Sequence, residues 1–176
     1  MAWEVAVNLS SLDFYDHNFF DYIRDAINRQ RIKANEIILE VPETMMQNNP
    51  QRAMRVLEQF HALGVRFAID DFGTGYCSLS HLYKLPVSDL KIDRQFVKGL
   101  GECDEKHPLV RSTIQLAHCL GMDVIAEGVE SDSELKVLQS MGCDKVQGNI
   151  ITEPLPGDVF PDWIARRLDG DAEATG

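Results

Sequence analysis

Short apolar runs of strand length alternate along this chain with longer stretches whose apolar positions recur every three or four residues. Val5-Ala6-Val7-Asn8-Leu9 opens the series as a strand, with Ser10, Ser11 and Asp13 behind it as turn or cap residues. Phe19, Tyr22, Ile23, Ala26 and Ile27 then share one helical face and predict a helix over 19–31. Ile37-Ile38-Leu39-Glu40-Val41 shows no polar alternation until its end, as in a strand covered by helices, and Pro42 is expected to stop it. Asn49 as N-cap and Pro50 at the first helical position open the next helix, which turns Ala53, Val56, Leu57, Phe60 and Leu63 inward and stops at Gly64.

The strand predicted over 66–70 runs directly into the paired carboxylates Asp70 and Asp71, then into a loop containing Gly73 and Gly75. Neighbouring carboxylates repel unless a cation or a proton lies between them, so this pair points to a hard metal or to shared acid/base work. A short helix is expected over 78–83 and a strand over 89–93. Pro108 begins a helix with Val110, Ile114 and Ala117 on one face, ended by Gly121, and a strand follows over 123–127. Ser131 and Glu134 form a capping-box pair ahead of Leu135, Val137, Leu138 and Met141, and Gly142 closes that helix. A last short strand over 145–147 leads through Pro154, Pro156 and Gly157 to a terminal helix over 159–168.

Six strand-then-helix units in series predict an α/β fold with a parallel sheet and helices outside it. A closed TIM-like (β/α)₈ barrel has eight strands and typically about 250 residues. The chain, at 176 residues, is therefore read as the C-terminal portion of an incomplete barrel over 1–168, lacking the first strands, with an acidic, fraying tail over 169–176. An open doubly wound sheet is the alternative, but no Gly-x-Gly-x-x-Gly follows the first strand. A six-stranded remnant leaves two sheet edges and a core wall uncovered, so self-association or poor stability is expected.

A hydrophobic content of 44% supports a real core, and a net charge of −11 argues against a nucleic acid polymer as partner. A small phosphorylated ligand remains compatible where a metal ion offsets the charge. Cys77, Cys103, Cys119 and Cys143 show no Cys-x-x-Cys spacing, which fits free thiols in a reducing cytoplasm. No apolar run approaches the length of a membrane span, and the N-terminal residues do not open a signal peptide.

Asn8, Glu40, Asp70 with Asp71, Lys91, Glu127 and Gln147 lie at or near the C-terminal ends of successive predicted strands. Singly, each has an ordinary reading as a cap or a solvated charge; together they mark the face on which parallel barrels carry their chemistry. Asn, Asp and Glu oxygens suit Mg²⁺ or Mn²⁺, and no histidine sits at a strand end to favour zinc. Two such ions about 3.5–4 Å apart, bridged by a carboxylate such as Asp70, would clamp a phosphodiester and acidify the attacking water. Lys91 would hold that water or stabilise phosphoryl charge, and Glu127 would ligate or act as general base.

At these residues the chain resembles the EAL-domain family of bacterial cyclic di-GMP phosphodiesterases. The likeness rests on Val7-Asn8-Leu9-Ser10, Leu39-Glu40-Val41-Pro42-Glu43, Asp70-Asp71-Phe72-Gly73-Thr74-Gly75-Tyr76, Leu90-Lys91-Ile92-Asp93, Ala126-Glu127-Gly128-Val129-Glu130 and Gln147-Gly148. The resemblance implies metal ligation by Asn8, Glu40, Asp70, Asp71 and Glu127, catalysis by Lys91 and Glu127, and substrate contacts at Gln147 and Asp93. It also implies that Glu43 holds a loop formed by Phe72, Gly73, Thr74 and Gly75, which couples a homodimer contact to metal loading. The expected reaction is hydrolysis of cyclic di-GMP to linear pGpG, with an N-terminal sensory or cyclase domain as a further partner in the full protein.

The Glu-Ala-Leu segment that names the family is not found in this chain, nor is the substrate-binding arginine near it. Asn149 and Glu153 replace an aromatic and a basic residue common in the family, and Cys77 stands where serine is usual. The competing reading is a non-catalytic receptor for cyclic di-GMP or a protein partner, a class that usually loses several of the ligands retained here.

Overall fold

A computed structural model of the chain describes residues 3–16, 18–45, 50–73 and 82–173. Its six strands are β1 (Val5–Asn8), β2 (Ile37–Pro42), β3 (Arg66–Phe72), β4 (Asp89–Ile92), β5 (Asp123–Glu127) and β6 (Lys145–Gln147). They form one sheet in the order β1-β2-β3-β4-β5-β6, with every neighbouring pair parallel. Right-handed strand twist rolls such a sequential parallel sheet toward a barrel. The result is the expected incomplete TIM-like fold.

Strand alternation separates two environments. Leu39, Val41, Phe67, Ile69, Leu90, Ile92, Val124 and Ala126 face the helices and form the core with Leu57, Phe60, Val110, Ile114, Ala117 and Leu138. Phe60, on helix Pro50–Ala62, meets Phe19, Phe20 and Phe67 at centroid distances of 5.7, 5.1 and 6.2 Å, joining two helices to β3. The opposite face of the sheet carries Glu40, Asp70, Lys91 and Glu127 near its C-terminal end and Arg66, Asp89 and Lys145 near the other. There Asp89 is fully buried and pairs with Arg66 and Lys145, each at 2.8 Å.

The structure revises several local expectations. Pro42 ends β2 as expected and is itself the last paired residue, in register with Asp70, whose carbonyl accepts from the Glu43 N–H 3.1 Å away. Strand β3 continues past Asp70 through Asp71 to Phe72. Tyr22 points away from the core, 69% exposed, because the helix, Phe19–Gln30, needs only Phe19, Phe20, Ile23 and Ile27 to pack. A helix Arg94–Val97 and two 3₁₀ turns, Ala34–Glu36 and Asp104–Lys106, were not legible in the apolar pattern. Helix His107–Cys119 starts one residue earlier than Pro108, and the terminal helix, Phe160–Glu173, extends beyond residue 168 into the stretch expected to fray. The capping box of Ser131 and Glu134 and the left-handed Gly142 bound helix Asp132–Met141 as expected. Asn49, Cys77 and most of the 78–83 stretch lie outside the described residues. Cys103, Cys119 and Cys143 are free thiols. Among the described residues no helix is long and apolar enough to cross a membrane.

Edge strand β1 leaves Val5 58% and Val7 45% exposed beside Trp3, an unpaired apolar edge. Sedimentation should therefore show concentration-dependent self-association, reduced by Val5→Lys with Val7→Lys; a monomer at all concentrations would contradict this. Asp144 gives a pH test. Its Oδ2 accepts from Val124 N and meets His118 Nε2, both at 2.8 Å. Burial raises its pKa, but the bonds from His118 and Val124 outweigh burial and the net shift is downward. The stability it adds is complete above the unfolded carboxylate pKa of about 3.9 and is lost as pH falls through the lower folded value. Asp144→Asn should lower the thermal midpoint at neutral pH, and the gap from wild type should close in acid.

Candidate active site

Four strand ends converge on one ammonium. Lys91 of β4, 2% exposed, lies 2.8 Å from Glu40 of β2, 3.1 Å from Asp70 of β3 and 2.6 Å from Glu127 of β5. The register explains the convergence, since Glu40 pairs with Ala68, two residues before Asp70, and Lys91 pairs with Ile125, two residues before Glu127. Each of these side chains thus points to the same face of the sheet.

Asp71 joins them through a break in that alternation. Consecutive residues of a regular strand face opposite sides, so Asp70 and Asp71 could not both reach the mouth. The pairing of β3 with β4 is irregular between Ile69 and Phe72, and Asp71 has a left-handed backbone with φ 55°. A non-glycine residue held there stores about 1–3 kcal/mol of strain. With the break, ligand oxygens of Asp70, Asp71 and Glu127 all lie within 4.8 Å of one another.

These carboxylates outnumber the cation that faces them. Burial, the charge of Asp70 and a hydrogen bond with Asp93 hold the Asp71 carboxyl above its ordinary pKa. Burial also raises Glu127, against the opposing pull of Lys91, with the charges of Asp70 and Glu40 adding to the rise. Burial alone would lower Lys91, but its hydrogen bonds to Glu127 and Glu40 win and its pKa rises, so the ammonium stays charged. Asp70 Oδ1 is buried and receives no hydrogen bond, although Lys91 stands in ion-pair contact with it. An oxygen with an open lone pair, amid oxygen-only donors and excess negative charge, fits a hard divalent cation.

The other expected residues take flanking places. Asn8 pairs in register with Glu40, and Gln147 pairs with Glu127; both are exposed at the rim. Asp93 accepts from Gln95 N at 2.7 Å, capping helix Arg94–Val97, besides its bond with Asp71. Glu43, 2% exposed, accepts from Gly73 N at 3.0 Å and so ties the end of β2 to the loop after Phe72. Thr74 and Gly75 lie outside the described residues. Gly148, quoted with Gln147 in the motif but given no role there, has one in the packing. A Cβ on Gly148 (φ 156°) would lie 2.2 Å from the Val129 carbonyl oxygen, so only glycine lets the segment after Gln147 close on the loop after Glu127.

Fold and site together define a parallel α/β barrel protein with an acidic, metal-suited mouth at its strand ends. The chain belongs to the EAL-domain family, whose model matches residues 2–154. It is 38% identical over 156 residues to MucR of Pseudomonas aeruginosa, a bifunctional diguanylate cyclase/cyclic di-GMP phosphodiesterase, covering 89% of this chain and 23% of that protein. It is 35% identical over 164 residues to the cyclic di-GMP phosphodiesterase PdeR of Escherichia coli, covering 93% and 25%. The chain thus spans about a quarter of the length of these curated relatives. The solved PaMucR phosphodiesterase in complex with c-di-GMP matches with a TM-score of 0.86 at 37% identity, over 90% of this chain and 64% of that one. The Klebsiella pneumoniae BlrP1 complex with manganese and cyclic di-GMP matches with a TM-score of 0.79 at 29% identity, over 86% and 39%.

Gly148→Ala forces a methyl group against Val129 and should cost about 1–3 kcal/mol, read as a lower denaturant midpoint. An unchanged midpoint would show that the approach is not required.

Proposed function

We propose that this domain is a metal-dependent phosphodiesterase that opens cyclic di-GMP to linear pGpG at the mouth formed by Glu40, Asp70, Asp71, Lys91 and Glu127. The observation that carries the reading is the gathering of these acids around one buried ammonium, at the face where barrels place their chemistry. Kinship with MucR and PdeR supports the substrate, and the manganese complex of BlrP1 supports a divalent cofactor.

Asp70, Asp71 and Glu127 would hold a divalent ion, Mg²⁺ or Mn²⁺, with Glu40 and Asn8 as oxygen donors toward a second. Bound there, such ions supply polarisation of the phosphate and a lower pKa for water. The chain's own part is positioning and proton handling. Glu127, raised in pKa, takes the proton from the attacking water as its oxygen bonds to phosphorus. The P–O3′ bond breaks, the 3′ oxygen takes a proton from solvent while Glu127 gives up to solvent the one it received, and the product is linear with a terminal phosphate. Lys91, fixed by Glu40 and Glu127, keeps its charge for the phosphoryl oxygens. Gln147 and Asp93 flank the substrate. To Glu43, which holds Gly73 N, and to Phe72, Gly73, Thr74 and Gly75 we assign the coupling of a homodimer contact to the site. The greater length of the relatives supports a sensory or cyclase domain ahead of this one, and the thiols fit a cytoplasmic setting.

Incubation with cyclic di-GMP and Mg²⁺ or Mn²⁺, followed by chromatography, should yield pGpG, and chelation should stop it. Asp70→Asn should lower turnover by at least about 100-fold with the circular dichroism spectrum unchanged. Full activity in that variant would refute the assignment, and binding of cyclic di-GMP without hydrolysis by the wild type would make the domain a receptor instead.

A further inference from the structure

Away from the mouth, a further buried carboxylate has three backbone partners. Glu134, 6% exposed on helix Asp132–Met141, accepts through Oε2 from Glu130 N at 2.9 Å and Ser131 N at 3.1 Å. Those two bonds stay at the start of the helix, where the one from Ser131 N belongs to the capping box, completed by the bond from Glu134 N to Ser131 Oγ at 3.3 Å. The third does not. Glu134 Oε1 accepts from Gly99 N at 2.8 Å, a residue 35 positions away in the loop that follows β4 and helix Arg94–Val97. No helix needs that bond for its own start.

Two close approaches join the same segments. A Cβ on Gly128, the residue after Glu127, would lie 2.7 Å from the Arg94 Cβ, three residues after Lys91. A Cβ on Gly101 would lie 2.4 Å from Ser133 Oγ. The segments after β4 and β5 are therefore packed with glycine on one side of each contact, against Arg94 Cβ and Ser133 Oγ, and Glu134 is the hydrogen-bonded clasp between them. The clasp stays ionised at neutral pH, because the backbone N–H groups of Glu130, Gly99 and Ser131 outweigh the penalty of burial and lower its pKa.

We propose that Glu134 is a positioning residue, which by clasping Gly99 to the Glu130-Ser131 backbone fixes the loop that follows Glu127 against the segment that follows Lys91 and so sets their 2.6 Å contact. The kinetic part rests on the phosphodiesterase reading. The structural part does not.

Glu134→Gln separates the clasp from the cap. The glutamine carbonyl can take over the N–H groups of Glu130 and Ser131, but its amide nitrogen then faces the Gly99 N–H, donor against donor. Ser131→Ala does the reverse, weakening the cap and leaving the Gly99 bond in place. In the metal-free protein, Glu134→Gln should speed hydrogen exchange at Gly99 N–H while Ser131 N–H stays protected, and should move the amide resonances of Lys91 and Glu127. In the metal-loaded protein it should lower kcat by about 10–100-fold with KM little changed, since a misplacement of about 1 Å costs on that order. Ser131→Ala should lower the thermal midpoint and leave kcat and both resonances unmoved. Unchanged Gly99 exchange in Glu134→Gln, or equal loss of kcat in the two variants, would overturn the proposal. Should the wild type not hydrolyse cyclic di-GMP, the phosphodiesterase reading fails. The amide resonances then decide the clasp alone, and no movement in Glu134→Gln overturns it.

Discussion

One buried ammonium surrounded by carboxylates is the constraint on which the upper half of this barrel depends. Lys91 is desolvated and could not remain charged without Glu40, Asp70 and Glu127, each brought by a different strand. Removing one partner of such a group strands the others, so the site holds the curvature of the sheet as much as the sheet holds the site. The opposite end of β4 shows the inverse arrangement. Asp89, two residues before Lys91 and on the same face, is an anion between the cations Arg66 and Lys145. A single four-residue strand thus carries both charged layers of the interior, and a slip of its register would bury both against apolar helices.

The residual negative charge of the mouth has a functional meaning under the proposed reading. Glu40, Asp70, Asp71 and Glu127 carry more charge than Lys91 can offset, and burial pushes two of them toward protonation. A phosphodiester is itself anionic and would be repelled by this mouth on its own. Divalent ions resolve both conflicts together, lowering the repulsion among the acids and supplying the attraction for phosphate. An acidic protein handling an anionic substrate is consistent only with that third component present.

Irregular backbone accompanies the chemistry at the mouth. The left-handed Asp71 and the close approaches of Gly128 and Gly148 all occur at the C-terminal ends of strands. Regular alternation alone would have put only one of Asp70 and Asp71 at the mouth. The break in β3 costs local stability and gains a second carboxylate, a distortion that the packed Phe67 and Ile69 just before it can sustain.

The sequence determined the order of six strand-helix units, the buried faces of the helices at 50–62 and 107–119, the capping box at Ser131 and Glu134, and the list of polar residues at strand ends. These features are local, written in periods of two and 3.6 and in the chemistry of glycine, proline and cap residues, so they can be read without coordinates. Tertiary structure alone decided that Tyr22 faces outward, that Asp71 turns to the side of Asp70, that Asp89 is clamped by Arg66 and Lys145, and that Glu134 reaches Gly99. Those outcomes depend on contacts between residues far apart in the chain, fixed by strand register and loop packing, and no local pattern carries that information.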